Sequence, residues 1–406
     1  MLKFNPDIFR AYDIRGIYGK DFDEWFAFQL GNKIATALGG PLVIGRDHRT
    51  SSEELMTAVV RGAMAAGAAI ITLDKSTVPM FYFSVGQHDA KGGIMITASH
   101  NPDEYNGFKV VGEQAAFIDG PRIKELYEAT EVTEGGQGSI TEYNPMDDYI
   151  DKVVSIGGSS DSMLSVGCVN APSLTQELLK KLGQKANLEI FDTPWETALY
   201  VNYDTDSDRI WFTDSEMPVE ADLLFLLVTE KLGFKRVVHD FRYSKVVKER
   251  LNDRGVKSIA SPVGRTHIYE NMQKLDADFG GELSGHYYFK DFDYLEAPEL
   301  LLLYVRTIIQ QTGNNLPELL KTYHLYRRSG EIVLPLNKKS FSKLEEKYKQ
   351  AHISKEDGLL IDLWDSEGWW LSLRLSNTEP VMRLVAEAKT DKLLQGKLEE
   401  VKRLIQ

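Results

Sequence analysis

Thr97-Ala98-Ser99-His100-Asn101-Pro102, entered from the apolar run Gly92-Gly93-Ile94-Met95-Ile96 and followed by Gly107 and Lys109, is the stretch around which this 406-residue chain is organised. The apolar run into Thr97 reads as a buried strand over Ile94–Thr97. Asn101-Pro102 ends it, because proline lacks an N–H and biases the residue before it away from helix. Ser99 therefore stands at the exit of a strand, on a loop, where α/β sheets present their reacting groups. A turn serine is most often only a local hydrogen-bonder. This one is set apart by an Asp-rich loop and two further polar loops later in the chain.

The length exceeds one ordinary domain and predicts about two to four. No apolar run is long enough to span a membrane, and Lys3, Asp7 and Arg10 interrupt any signal-peptide pattern. The single cysteine, Cys168, excludes intrachain disulfides and thiolate metal clusters, fits a reducing cytoplasm and reads as a small core residue. A net charge of −13 argues against general nucleic-acid binding. It also requires that an anionic substrate meet a locally basic site, which directs attention to arginines within loops.

Leu42-Val43-Ile44-Gly45 and Ala69–Leu73 are further buried strands. Between them Ser51 and Glu54 form a capping-box pattern opening a helix through Met56, Val59, Val60 and Met64, so the segment is a βαβ unit. The polar, Gly-rich passage Glu134–Ser139 predicts closure of the first domain near Tyr149. Strands follow at Leu164–Val169, Leu188–Phe191 and Ala198–Val201, with Ser173 and Gln176 capping a helix from Leu174 to Leu182 that stops at Gly183. A third domain opens near Arg236 with the strand Val237–Asp240, and a last one near Tyr326, with the strand Trp369–Leu373. From Asp391 to Gln406 the pattern is an amphipathic helix burying Leu394, Leu398, Val401 and Leu404–Ile405.

Asp204-Thr205-Asp206-Ser207-Asp208-Arg209 sets three carboxylates at alternate positions after a hydrophobic strand. They repel one another unless a cation sits among them. Ligands of oxygen alone imply a hard ion, and for phosphate chemistry that ion is Mg²⁺. A calcium EF-hand fails here, since Arg209 stands where that loop needs glycine and Ser215 where it needs glutamate. In Gly280-Gly281-Glu282-Leu283-Ser284-Gly285-His286 the glycines admit a ligand close to the backbone. Glu282 and Ser284 can bond sugar hydroxyls, and His286 can move a proton. Arg374 and Arg383 bracket Ser376, Asn377 and Thr378, the donor set of a phosphate cradle. Phe9-Arg10-Ala11-Tyr12-Asp13-Ile14-Arg15-Gly16 sets arginines before a glycine turn, and a guanidinium fork suits phosphate oxygens.

Thr97–Pro102 continued by Asn106-Gly107-Phe108-Lys109 resembles the active-serine loop of the α-D-phosphohexomutases, the phosphomannomutase and phosphoglucomutase enzymes, and four loops match that family in order over nearly the whole chain. The resemblance implies an α/β protein: three α/β domains with mixed sheets plus a C-terminal α+β (TATA-box-binding-protein-like) domain around a central cleft. The divisions it implies are 1–150 with the serine loop, 151–235 with the metal loop, 236–325 with the sugar loop and 326–406 with the phosphate loop. It implies interconversion of hexose 1-phosphate and hexose 6-phosphate, of mannose or glucose, through a phosphoserine and a bound 1,6-bisphosphate. Ser99 would carry the phosphoryl group and, with Asp204, Asp206 and Asp208, hold one Mg²⁺. Lys109 and His286 would serve as general acid and base, and Arg15 and Arg209 would steady the transferring group. Tyr12, Arg242, Arg265, Glu282 and Ser284 would face the sugar phosphate, while Arg374, Ser376, Asn377, Thr378 and Arg383 grip the phosphate that is not reacting. Glucose or mannose 1,6-bisphosphate is the implied activator, and a phosphorylated hexose the partner, for a cytoplasmic monomer or homodimer engaging neither nucleic acid nor membrane.

The chain departs from the family in places. Members carry a further strand-and-helix passage where this chain has little more than Asp192-Thr193-Pro194-Trp195, glycine where it has Thr205, and often histidine where it has Arg265. Two alternatives follow: a hexosamine-phosphate mutase, whose members tend to have glycine in place of Asn377, and a sugar-phosphate-binding protein without turnover owing to the shortened second domain.

Overall fold

The computed structural model describes residues 3–168, 170–192, 197–214, 217–376 and 381–405, in which the strands form four sheets. The first runs in the order Ile14–Ile17, Tyr105–Gly112, Gly92–Ile96, Leu42–Arg46, Ala69–Lys75, Ser139–Glu142, with Phe117–Ile118 beside Tyr105–Gly112. Its last four strands are mutually parallel and the others antiparallel. The central strands are unbroken apolar runs because helices cover both faces. Leu42, Ile44, Ile94 and Ile96 join one core and Val43 and Met95 the other, the alternation that a pleated strand dictates. All six are fully buried, each worth on the order of 2 kcal/mol.

The helix Ser52–Ala65 links two of these parallel strands, as the βαβ pattern requires. The expected capping box is absent. Ser51 has helical backbone angles and makes no cap bond; its hydroxyl accepts from Asn106 Nδ2 at 2.8 Å. The second predicted cap also fails, since the helix runs Ser173–Ala186 and Gln176 donates instead to the Ala171 carbonyl. Nor does Gly183 stop that helix. It lets the helix lie against the strand Leu188–Phe191, where a Cβ at 183 would come 2.4 Å from the Leu188 carbonyl oxygen.

The second sheet has the order Met217–Pro218, Ile210–Asp214, Leu199–Tyr203, Leu164–Cys168, Leu188–Phe191. Leu199–Tyr203 and Leu188–Phe191 flank Leu164–Cys168 as parallel neighbours. Thr193, Pro194 and Trp195 of the link between them, and Val169 of the predicted strand, lie outside the described residues. Much of the support comes from elsewhere in the chain. Helix Pro298–Thr312 packs on helix Met146–Gly157. From it the buried Arg306 donates to the carbonyls of Ala186, Gly157 and Gly158. One guanidinium thus caps the C-termini of two helices, where the carbonyls lack partners and the dipole favours a cation.

The third sheet is Lys257–Ser261, Arg236–Asp240, Phe279–Gly281, Tyr287–Phe289, Leu295–Glu296, parallel in its first three strands and antiparallel beyond. The fourth is wholly antiparallel: Arg327–Arg328, Val381–Ala388, Trp369–Leu375, Leu359–Asp362, His352–Ser354, with Ile332–Pro335 also on Val381–Ala388. Helices Lys339–Lys347 and Asp391–Ile405 share a core with it, burying Leu344, Leu394, Leu398, Val401 and Ile405; Leu404 is only half-buried. The chain is thus a multi-domain α/β protein with a C-terminal α+β unit. No described helix is long and apolar enough to cross a membrane.

Candidate active site

Three of the predicted loops leave the C-terminal ends of parallel strands: Thr97–Pro102 after Gly92–Ile96, Asp204–Arg209 after Leu199–Tyr203, and Glu282–His286 after Phe279–Gly281. That end of a parallel sheet is where ligand crevices form. The loops converge on one cleft of about 760 Å³, closed on its far side by residues of the fourth sheet.

Ser99 sits at the floor, almost wholly buried, in the left-handed region at φ +50°. Its N–H donates to Thr97 Oγ1 at 2.9 Å, and its hydroxyl lies 3.3 Å from His100 Nδ1 and 3.4 Å from Asp204 Oδ2. A strained backbone persists only where surroundings hold it, and here the holder is Arg49. Its buried guanidinium donates to the carbonyls of Ser99 (2.6 Å), Asn101 (2.7 Å), Pro102 (2.8 Å) and Tyr105 (3.2 Å) and pairs with Asp47 at 3.2 Å. Gly107 lets the neighbouring strands close up, since a Cβ there would meet the Ile14 carbonyl oxygen at 2.0 Å. Arg15 forks onto Asp13 and donates to Asn101 Oδ1 at 2.8 Å. Burial, reinforced by Arg209 and Arg15, pushes His100 down to about 4, so its ring is neutral.

The Asp loop lies against this floor. Val78 N–H donates to the Asp206 carbonyl at 3.0 Å, and Thr97 Oγ1 to Asp206 Oδ2 at 3.3 Å. Lys109, buried, bonds Asp206 Oδ2 at 2.8 Å and also Asp208; although burial opposes its charge, the two carboxylates hold its pKa up. Burial, then the charges of Asp208 and Asp206, pushes Asp204 well above the usual carboxylate range. Asp208 goes the other way: burial opposes its charge, but Lys109, His286 and Arg209 outweigh it and hold the pKa well below. The positive φ in the loop falls at Ser207, whose hydroxyl is 2.6 Å from Thr175 Oγ1. The residues fit a hard cation. Oxygens of the three aspartates lie within 4.8 Å of one another, and Asp206 Oδ1 and Asp208 Oδ1 are buried without a hydrogen-bond partner among the described residues.

In the third loop the Glu282 carboxylate accepts from Gly264 N–H at 2.9 Å and Tyr288 hydroxyl at 2.7 Å, leaving a lone pair on each oxygen. His286 Nε2 accepts from Arg209 Nε at 3.0 Å. Gly264, at φ +124°, lies under the Tyr12 ring, which a Cβ there would enter at 2.4 Å; the Tyr12 hydroxyl donates to the Val263 carbonyl at 2.6 Å. Arg265 donates to Tyr82 hydroxyl and the Tyr12 carbonyl, each at 3.1 Å, and Arg242 pairs with Asp240 at 2.7 Å and Glu331 at 3.3 Å. Across the cleft Arg374 and Arg383 are directly opposed in neighbouring antiparallel strands. Like charges so placed are unfavourable without an anion between them. Glu331 also pairs with Arg383.

Sequence models of this family's domains match the chain over well more than half its length: phosphoglucomutase/phosphomannomutase α/β/α domain I at residues 6–135, α/β/α domain III at 222–326 and the C-terminal domain at 337–404. The chain belongs to the α-D-phosphohexomutase family. It is an isomerase, a phosphomutase. A phosphomannomutase of Methanocaldococcus jannaschii is 29% identical, over 98% of this chain and 97% of that protein. The crystal structure of a phosphoglucomutase/phosphomannomutase family protein from Burkholderia thailandensis superposes with a TM-score of 0.86 at 23% identity, over 99% of this chain and 97% of that one. An Aspergillus fumigatus N-acetylphosphoglucosamine mutase, solved with GlcNAc-6P and magnesium, superposes at 0.57 and 14% identity, covering 100% of this chain and 95% of that one. The family is magnesium-dependent, and the buried aspartates of this phosphohexomutase can hold a metal ion.

Of the residues singled out from sequence, Tyr12, Arg15, Ser99, Lys109, Asp208, Arg209, Arg242, Arg265, Glu282, Ser284, His286, Arg374, Ser376 and Arg383 line the one cleft, with Asp204 and Asp206 adjoining Ser99 and Lys109. Asn377 and Thr378 lie outside the described residues. Sequence reasoning assigned nothing to Arg49, Glu296 or Glu331. The loop partners of Arg49 lie up to 56 positions away, and no local spacing signals them.

Proposed function

We propose that the chain interconverts the 1- and 6-phosphates of mannose and glucose, with Ser99 as phosphoryl carrier and a hexose 1,6-bisphosphate kept in the cleft between half-reactions. What carries this reading is the convergence of a held serine, a carboxylate triad and an opposed arginine pair on one cleft. In the first half-reaction the bond from phosphorus to Ser99 Oγ breaks as one forms to the free sugar hydroxyl. The hydroxyl proton passes to His286, and Lys109 returns a proton to Ser99 Oγ. After the bisphosphate turns over, the other phosphate moves to Ser99 and both protons retrace their paths. Asp204, Asp206 and Asp208, with Ser99, would hold Mg²⁺, which supplies charge for the transferring group. Arg15 and Arg209 steady that group, while Arg374, Ser376, Asn377, Thr378 and Arg383 hold the idle phosphate. Positioning and charge neutralisation do most of the work. The units 1–150, 151–235, 236–325 and 326–406 would each contribute one loop.

The bisphosphate must be accepted in two orientations, so contacts that read the sugar must fall on groups that stay in place when the ring flips. O3 and O4 do so and O2 does not, which suits Glu282 and Ser284. Mannose and glucose 1-phosphates are therefore expected to show comparable kcat/KM, and the N-acetylglucosamine ester to be much poorer; a strong preference between the C2 epimers refutes that assignment. The deciding experiment is intact mass after incubation with glucose 1,6-bisphosphate. The wild type should gain one phosphoryl group and Ser99→Ala none, with turnover lost and sugar-phosphate binding retained. No gain in the wild type would leave a binding protein without turnover.

A further inference from the structure

Glu296 is fully buried at the end of the strand Leu295–Glu296, beside Tyr287–Phe289 and hence against His286. Neither of its carboxylate oxygens has a hydrogen-bond partner among the described residues. A carboxylate removed from water costs several kcal/mol unless something nearby answers its charge. The Nδ1 of His286 lies 3.5 Å from Oε1, and that nitrogen also has no hydrogen-bond partner among the described residues. Asp208 Oδ1 lies further away, at 3.8 Å, and the other oxygen of Asp208 is taken by Lys109. The opposite ring nitrogen, Nε2, accepts from Arg209. Arginine is always a donor, so Nε2 is the accepting nitrogen and the ring N–H is Nδ1, the atom nearer Glu296 than Asp208.

We infer that Glu296 is a positioning residue for His286: it selects the Nδ1–H tautomer and sets the ring plane, which leaves Nε2, where Arg209 now donates, as the nitrogen that takes the proton once Arg209 turns to the transferring group. The logic is that of a base oriented by a third group. At 3.5 Å the contact is longer than a hydrogen bond, and such contacts commonly tighten once substrate is bound. The inference rests on reading His286 as the proton carrier.

Three measurements test it on the full-length protein. Glu296→Gln, which keeps the shape, should lower kcat by roughly 100-fold, the lower bound of what a positioned base contributes, while KM for the hexose phosphate stays within about threefold. ¹⁵N spectra of histidine-labelled enzyme should show His286 protonated at Nδ1 in the wild type and a mixture of tautomers in Glu296→Gln. The double variant with His286→Gln should be no slower than His286→Gln alone, because two groups acting as one are not additive. A wild-type ring protonated at Nε2, or additive losses in the double variant, overturns the inference. If His286→Gln turns over at the wild-type rate, the proton-carrier reading falls and takes this one with it. If His286→Gln is inactive and Glu296→Gln is not, this one falls alone.

Discussion

Replacing Arg49 by lysine keeps a cation beside Asp47 but removes the fork that holds the serine loop. The guanidinium serves five acceptors, four loop carbonyls and the Asp47 carboxylate. An ammonium has three donors on one atom, so at least two of those five bonds are lost, although the Pro102 carbonyl keeps the Tyr105 N–H and the Asp47 carboxylate keeps Ser52. A hydrogen bond to a charged donor contributes about 1.5–3 kcal/mol, placing the loss of two at about 3–6 kcal/mol, concentrated in the turn that keeps Ser99 at φ +50°. The loop is expected to relieve part of that cost by relaxing, and a displacement near 1 Å at a reacting group costs about 100-fold in rate. Arg49 does not line the cleft, so a coupled mutase assay should show kcat reduced about 100-fold with KM within about threefold. A thermal melt followed alongside should fall. If the melt falls but kcat holds, the serine loop keeps its geometry without Arg49 and the reasoning fails.

Removing the opposed charge with Arg374→Ala should raise KM for hexose phosphate more than it lowers kcat, since the grip on the idle phosphate is used in both orientations; an unchanged KM means the loop is misassigned. Mg²⁺ titrated into phosphorylated and dephosphorylated enzyme should bind the former more tightly, because the phosphate adds a ligand and charge, and equal affinities would show the ion is not shared with Ser99. Glu299, bonded to the Tyr149 hydroxyl at 2.5 Å, is raised by burial from 4.5 to about 7. Its contribution is therefore complete below pH 4.5 and is lost as pH rises to about 7, by about 3 kcal/mol. Glu299→Gln should flatten that loss in urea melts at pH 5 and pH 8; an identical slope rules Glu299 out as its source.

The elements most legible in sequence were those whose signal is local. The strand into Ser99 is a continuous apolar run closed by Asn101-Pro102, and it appears at Gly92–Ile96 with both faces covered. The Asp loop announced itself by alternation of charge, and its three carboxylates do cluster. The expected caps fail for different reasons: Ser51 is drawn to the distant Asn106, whereas Gln176 turns to the nearby Ala171 carbonyl; packing on its own sheet carries the second helix past Gly183. Arg49, Glu296 and Glu331 were invisible for a related reason. Each acts through residues brought near only by the fold, Glu331 through Arg242 at 89 positions' remove.

The capping of two helices by Arg306 bears on the order in which this protein can be made. Helices Met146–Gly157 and Ser173–Ala186 leave a ribosome long before residue 306 does, and domains emerge N-terminal first. Until then their last carbonyls have no guanidinium, and the small face at Gly157, where Leu303 and Leu300 later seat themselves, is uncovered. The packing of these two helices is thus completed only by a helix encoded after the Glu282–His286 loop. A nascent chain halted short of that helix should stay protease-sensitive around residues 146–186 and become resistant only once helix Pro298–Thr312 has cleared the exit tunnel.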